Sequence, residues 1–196
     1  MASCKDNLSE RKFPFYTRVC NFANYRVPFS VFLIRVLQFF RVHICQVNLF
    51  GISRVNHFET SCRAQGQRLD LNVFRYFYEF ISTKDWYTFA QRKGVPHPSG
   101  DERSSLKNWK DNFFWLDDRC LPEDMVWGFK DQTMSFDLGD DFVFNKDLAR
   151  ALIEHKSLIR VEMSLRDTLM VPNFNVLDFD LDEQAEGVVP FMKFPL

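Results

Sequence analysis

Apolar residues in the first half of the chain recur at helical spacing and leave only narrow polar stripes. Residues 28–42 read PFSVFLIRVLQFFRV, and their polar positions are Arg35, Gln38 and Arg41. Three polar residues on one side of an otherwise apolar segment predict a helix that is buried on most sides. Proline suits the first turn of a helix, so the pattern places the start of this helix near Pro28.

A second helix is predicted over residues 49–64. Its apolar positions, among them Ile52, Val55 and Phe58, again follow the helical period. Asn48 is a suitable N-cap because its side-chain oxygen can accept a hydrogen bond from a free backbone N–H of the first turn. Gly66 suits the residue that ends the helix, where a left-handed conformation is common.

Residues 71–81 (LNVFRYFYEFI) predict a third helix, with Asp70 as its N-cap. Asn72, Arg75, Glu79 and Ser82 fall at i, i+3, i+7 and i+10, which gives one polar stripe on a helix and leaves aromatic rings over the rest of its surface. A platform for a ligand needs rings lined up on one exposed face. The rings are therefore predicted to pack in a core.

The hydrophobic period changes after residue 82. Residues 86–91 and 109–116 are short and rich in aromatic and β-branched residues, which predicts an antiparallel pair of strands joined by a long loop. Residues 138–144 predict a further short strand, and residues 146–157 predict a last helix capped by Asn145. The pattern predicts an α+β fold, mainly helical, in a single domain with a small antiparallel sheet.

The ends of the chain lack this periodicity. Residues 1–26 predict a flexible N-terminal arm, and the acidic residues 161–196 predict a disordered tail, which leaves residues 27–160 as the folded domain. The N-terminus carries charges where a secretory signal needs an apolar segment, and no apolar run approaches the roughly 18 residues of a membrane span. These features predict a soluble intracellular protein with no membrane contact.

The net charge is −1, but the charges are unevenly distributed. Residues 1–68 hold ten Lys and Arg against three Asp and Glu, whereas residues 117–196 hold eight against seventeen. A basic front and an acidic back favour head-to-tail self-association or an anionic partner for the front half. The alternative is that the two halves face each other, or face solvent, within one fold.

No motif of high specificity for catalysis appears. The chain lacks a phosphate-binding glycine loop and a nucleophile elbow, and Gly139-Asp140-Asp141 reads as a turn between two apolar runs. Four residues are of the types that usually bind zinc, but two of them, His57 and Cys62, point to different sides of a helix. The four are His43, Cys45, His57 and Cys62. We therefore expect no enzyme activity, no metal, no cofactor and no small-molecule substrate.

One set of residues could bind nucleic acid. A basic loop lies between the two aromatic strands, so its cations could contact phosphates while tryptophan rings stack on bases. Asp101, Glu102 and Asp111 dilute the charge of this loop, and a solvated hairpin loop is the competing interpretation. The candidate residues for contact with RNA or DNA are Arg92, Lys93, Arg103, Lys107, Lys110, Trp86 and Trp109.

Four stretches together resemble the plant gypsy-type transposon domain, a family of retroelement origin whose label includes the word transposase. They read VPFSVFLIRVLQFFRVHICQVN, HFETSCRAQGQRLDLNVFRYFYEF, DWYTFAQRKG and SLKNWKDNFFWLDD, and the resemblance runs from Val27 to Arg160. It implies a gag-like structural protein with no catalytic residues to carry over. The expected function is self-association or protein interaction, and weak, sequence-tolerant nucleic-acid binding is the alternative.

Overall fold

The computed structural model describes residues 11–21, 23, 25–82, 86–98, 108–123, 125 and 136–154. Five helices and four short strands lie within these residues. In chain order they are β1 (Lys12–Tyr16), α1 (Thr17–Asn21), α2 (Val31–Phe39), α3 (Leu49–Ala64), α4 (Leu71–Phe77), β2 (Tyr78–Ser82), β3 (Tyr87–Gln91), β4 (Phe113–Asp117) and α5 (Lys146–Glu154). The fold is α+β and largely helical, as the sequence predicts.

The strands form two antiparallel pairs. β2 pairs with β3, and β1 pairs with β4. The predicted pairing of 86–91 with 109–116 is therefore wrong, although both segments contain a strand. The reason is chain proximity: β2 and β3 are separated by only four residues, so closing this hairpin costs less conformational entropy than closing the long loop before β4.

Side-chain caps set the starts of the helices. Ser30 accepts a hydrogen bond from the N–H of Leu33 and begins α2, and Asn48 accepts one from Gly51 and begins α3. Asn145 accepts one from Leu148 at the start of α5. The predicted second helix and its cap are confirmed, and the first begins three residues later than expected.

The third helix is shorter than predicted. α4 begins after Asp70, whose carboxylate accepts hydrogen bonds from two backbone N–H groups, but it ends at Phe77. Residues 78–82 form β2, so the prediction of a helix to residue 81 is wrong. Aromatic residues favour strands, and Phe80 lies directly opposite Phe89 across the β2–β3 ladder. Pairing with β3 overrides the helical pattern.

Two further predictions are wrong. Residues 12–21 form β1 and α1 where a flexible arm was expected, because the rings of Phe13 and Phe15 are buried in the core. Residues 138–144 form no strand: the N–H of Phe142 bonds the carbonyl of Gly139 in a turn. The segments 1–10, 155–157 and 161–196 lie outside the described residues.

The core lies between helices α2, α3 and α4 and the β2–β3 hairpin. Its centre is a chain of ring contacts in which neighbouring centroids lie 5.1–5.5 Å apart. The rings in this chain belong to Phe32, Phe58, Phe74, Phe89 and Phe40. The prediction that the rings of the third helix serve a core is thus confirmed for Phe74 and Phe77, both fully buried.

Helix α3 approaches the hairpin closely. The N–H of Asn48 bonds the carbonyl of Tyr87, which ties the start of the helix to β3. A Cβ on Gly51 would lie 3.2 Å from Cα of Thr88, so the absent side chain permits this approach. In the described part of the chain no helix is long and apolar enough to cross a membrane.

Candidate interaction surface

The β1–β4 pair has one open edge. The N–H of Thr17 bonds the carbonyl of Asn112, and the N–H of Asp118 bonds that of Arg11. In an antiparallel ladder, hydrogen-bonded and non-hydrogen-bonded pairs alternate. Residues 113, 115 and 117 of β4 therefore direct their backbone N–H and C=O groups away from β1. No strand among the described residues pairs with this side of β4.

Three consecutive aromatic residues stand on that strand, and we call them the aromatic edge: Phe113, Phe114 and Trp115. Their exposed fractions are 41%, 39% and 39%. Because successive side chains of a strand point to opposite faces, both faces of β4 present rings to solvent. The ring centroids of Phe113 and Trp115 lie 5.5 Å apart on one face. An unpaired strand with exposed apolar rings is a template for strand addition.

The other edge of the pair is blocked. Pro14 lies directly opposite Trp115 in a non-hydrogen-bonded pair, so its ring nitrogen faces away from β4 and provides no N–H to another strand. The carbonyl of Pro14 accepts a hydrogen bond of 3.2 Å from Sγ of Cys45. Proline is one of the devices that prevent pairing at a sheet edge. Within the described ranges, the β4 side is therefore the one side of this sheet that is open to pairing.

Some of the predicted nucleic-acid-binding residues lie together beside this sheet. Lys110 Nζ lies 4.5 Å from the ring centroid of Trp86 and 5.4 Å from that of Trp109. The two indole rings are 5.1 Å apart, edge to face, and Tyr16 of β1 contacts both. We call these four residues the tryptophan–lysine cluster. Lys110 Nζ covers one face of these rings, so a base that stacks on that face would have to displace it.

The other predicted residues are not part of this cluster. Arg92 and Lys93 follow the far end of β3, six residues from Trp86, a distance of about 20 Å along an extended strand. Arg103 and Lys107 lie outside the described residues. The structure thus separates the predicted site into two parts, and it adds Tyr16, which is not among the predicted residues.

Asp117, the last residue of β4, forms an ion pair with Arg119. Arg119 donates two side-chain hydrogen bonds of 2.8 Å to the carboxylate of Asp117. These bonds, with one from the Arg119 backbone, lower the pKa of Asp117 to about 2. The carboxylate is partly exposed and charged at neutral pH, so a charged group lies two residues beyond the aromatic edge.

The residues considered for zinc do not form a site. His43 Nδ1 accepts a hydrogen bond from the N–H of Cys45, and His57 and Cys62 lie on α3. Within the described ranges, no group of three His, Cys, Asp or Glu side chains could hold a metal ion. Burial lowers the pKa of His43 and of His57 to about 4, so both rings are neutral at pH 7.

Comparison with known proteins gives one match. The family model described as "Putative gypsy type transposon" matches residues 17–82. This segment is similar to the gypsy-type transposon domain. The match covers α1 to β2 and confirms the resemblance over those residues, while the extension of the domain to residue 160 stays a prediction. Comparison with curated proteins and with solved structures gives no match.

The aromatic edge lies outside the matched residues 17–82. None of its three residues is among the predicted binding residues. The strand predicted over residues 109–116 overlaps β4, but its predicted partner, residues 86–91, is wrong, because β4 pairs with β1. The alternation Lys12, Phe13, Pro14, Phe15 was the available signal for β1. A strand at this position, paired with β4, has Pro14 on one edge of the pair and leaves β4 on the other edge.

Proposed function

We propose that this chain is a non-enzymatic, gag-like interaction protein of retroelement origin that works by self-association. The observation that carries the proposal is the open β4 edge with its three exposed aromatic residues. The occupant is β4 of a second copy. The gypsy-type origin of residues 17–82 is consistent with a structural role.

Self-pairing of β4 fits the residues present. In an antiparallel pair centred on Phe114, Phe113 of each copy lies opposite Trp115 of the other, and aromatic pairs of this kind stabilise sheets. The two-fold arrangement makes every contact twice. Because Pro14 blocks the β1 edge, association stops at a four-stranded sheet with no free partner for a third copy. The product is a closed dimer.

The test is the mass of the full chain by light scattering and sedimentation over a range of concentrations. We expect a monomer–dimer equilibrium. Phe113→Pro removes an outward-facing N–H without touching the bonds to β1, whereas Phe113→Ala removes only the ring. Two lost hydrogen bonds per dimer, at about 1 kcal/mol each, correspond to a roughly 30-fold weaker dimer for the proline variant beyond the alanine one.

Val143→Lys is the matched surface control, because Val143 is 77% exposed and far from β4 in sequence. It should leave the equilibrium unchanged. Circular dichroism and thermal unfolding of each variant verify that the fold is retained. A wild-type chain that stays monomeric at the highest concentration would contradict the proposal, as would a dimer that is insensitive to Phe113→Pro.

Nucleic-acid binding remains the second candidate, because Trp86, Trp109 and Lys110 lie together. Fluorescence anisotropy with labelled single-stranded RNA and duplex DNA across a salt series tests it. Binding through phosphates weakens steeply with salt, whereas apolar self-association does not. Salt-sensitive binding that is lost in Lys110→Ala would favour this candidate.

A further inference from the structure

Arg75 and Arg92 lie close together at the junction of α4 with the end of β3. The backbone N–H of Arg92 donates a 2.9 Å hydrogen bond to the carbonyl of Phe77, the last residue of α4. Its Nη2 donates a longer bond, 3.3 Å, to the backbone carbonyl of Arg75. These bonds hold the Arg92 side chain against the turn that carries Arg75.

Aromatic rings and an amide hold the Arg75 guanidinium. Its Cζ lies 4.6 Å from the ring centroid of Phe39 and 5.0 Å from that of Phe142. Its Nη1 donates to Oδ1 of Asn72, whose Nδ2 donates in turn to the carbonyl of Val143. Such contacts fix the plane of the guanidinium, but neutral rings and amides leave its charge uncompensated.

Neither arginine has an acidic partner among the described residues. Arg11, Arg63, Arg119 and Arg150 form ion pairs with described carboxylates, whereas Arg75 and Arg92 do not. Nε of Arg75 and Nε of Arg92 are buried and make no hydrogen bond. Burial and then the like charge of Arg92 lower the pKa of Arg75. The fold thus carries two adjacent positive charges that no described carboxylate neutralises.

We propose that Arg75 and Arg92 form a binding site for a phosphate group, with a phosphate monoester dianion as the preferred ligand. Two guanidinium groups match the charge of about −2 that a monoester carries at neutral pH, and their planar forks suit bidentate contact with phosphate oxygens. The exposed Lys93 follows Arg92 directly, and Phe39 is 38% exposed, so the site borders solvent.

The experiment is thermal unfolding of the full chain at pH 7.5 in rising concentrations of inorganic phosphate, with sodium chloride holding the ionic strength constant. A ligand that binds the folded state raises the midpoint in proportion to ln(1 + [L]/Kd). We expect this rise in wild type and in Arg150→Gln, an exposed arginine on α5. Arg92→Gln should weaken phosphate binding about tenfold or more, and Arg92→Lys less.

The shift with phosphate is the readout, so a change in the starting midpoint of Arg92→Gln does not affect the conclusion. Arg75→Gln, which leaves Arg92 in place, gives a second variant with the same expected loss. A parallel series uses a single-stranded oligonucleotide without terminal phosphates, in which every phosphate is a diester. It distinguishes a phosphate monoester from the backbone of a nucleic acid as the source of the phosphate. Equal phosphate shifts in wild type and Arg92→Gln, or no shift in wild type, would overturn the proposal.

Discussion

The phenol of Tyr25 donates a 2.8 Å hydrogen bond to Oε1 of Glu59 in the interior of the protein. The same oxygen accepts a 2.6 Å bond from Ser30, the N-cap of α2, and Oε2 accepts a 3.0 Å bond from Arg63 one turn along α3. One carboxylate therefore connects the segment before α2, the start of α2 and the middle of α3. A buried charged group is tolerated only when it is hydrogen-bonded in this way.

Removal of this carboxylate should destabilise the fold strongly. Glu59→Ala leaves the hydroxyls of Tyr25 and Ser30 and the Arg63 guanidinium without their shared partner, at a cost of about 3–5 kcal/mol. Tyr25→Phe removes one hydrogen bond and keeps the ring, so it should cost about 1 kcal/mol. Urea unfolding measures both. Similar losses for the two variants would contradict the central role of Glu59.

The charge state of Glu59 should give the stability a pH dependence. Burial raises its pKa, against the hydrogen bond from Ser30 and the charge of Arg63. The folded state then holds this proton more tightly than the unfolded state, so the contribution of Glu59 to stability falls as pH rises from the ordinary carboxyl value through the raised one. Glu59→Gln cannot titrate. Its stability relative to wild type should therefore increase over that window, and a decrease would contradict the assignment.

His43 should act in the opposite direction. Its Nδ1 accepts the N–H of Cys45, and burial lowers its pKa from 6.5 to about 4. Below pH 6.5 the unfolded chain binds a proton that the folded chain excludes, so stability falls as pH drops toward 4, by about 3 kcal/mol at the end of the window.

His43→Asn is the matched variant, because asparagine can accept the same backbone N–H but does not titrate in this range. The decisive measurement is the slope of unfolding free energy against pH between 6.5 and 4, which should be shallower in the variant. Its stability at pH 7 is not the readout, since the smaller side chain also loses the contact with Phe13. Parallel slopes would show that His43 does not carry this acid sensitivity.

The elements that the sequence predicted well are those in which local signals agree. For α3, the cap at Asn48, the helical period and the glycine after the helix all indicate the same boundaries. At residues 78–82 the signals conflict: the polar stripe has a helical period, but the residues favour strands. Pairing with β3 decides the outcome, and a contact between strands cannot be read from one segment alone.

The candidate surface was harder to predict for the same reason. The residue types of Lys110, Trp86 and Trp109 indicate a binding site for nucleic acid, and the three side chains do lie together. Arg92 is close to them in sequence, but β3 separates it from Trp86 in the structure. The open edge depends on the alternation of hydrogen bonds between β1 and β4, in particular on the direction in which Pro14 faces. Such a property belongs to the pair of strands, so it becomes visible only with the structure.

Gly51 should be intolerant of any side chain. An added Cβ would lie 2.7 Å from Cγ1 of Val47 and 3.2 Å from Cα of Thr88, where backbone cannot yield cheaply. Gly51→Ala should therefore cost about 1–3 kcal/mol in spite of the better helix propensity of alanine. Asn56→Ala, half-buried on the same helix, is the control and should be near neutral. Chemical unfolding compares the two, and a stabilised Gly51→Ala would refute the close approach of α3 to β3.

The salt dependence of association should separate the two candidate functions in one sample. A dimer that pairs aromatic edges buries apolar rings and backbone groups, so added sodium chloride should leave its dissociation constant nearly unchanged and sodium sulfate should strengthen it. A complex with nucleic acid should weaken steeply over the same range.

Sedimentation of the full chain with and without a labelled oligonucleotide measures both equilibria, with Phe113→Pro and Lys110→Ala as the paired variants. If Phe113→Pro lowers the mass of the protein and Lys110→Ala leaves it unchanged, the open edge of β4 is the interface. If Lys110→Ala lowers the mass and Phe113→Pro does not, association depends on the tryptophan–lysine cluster instead.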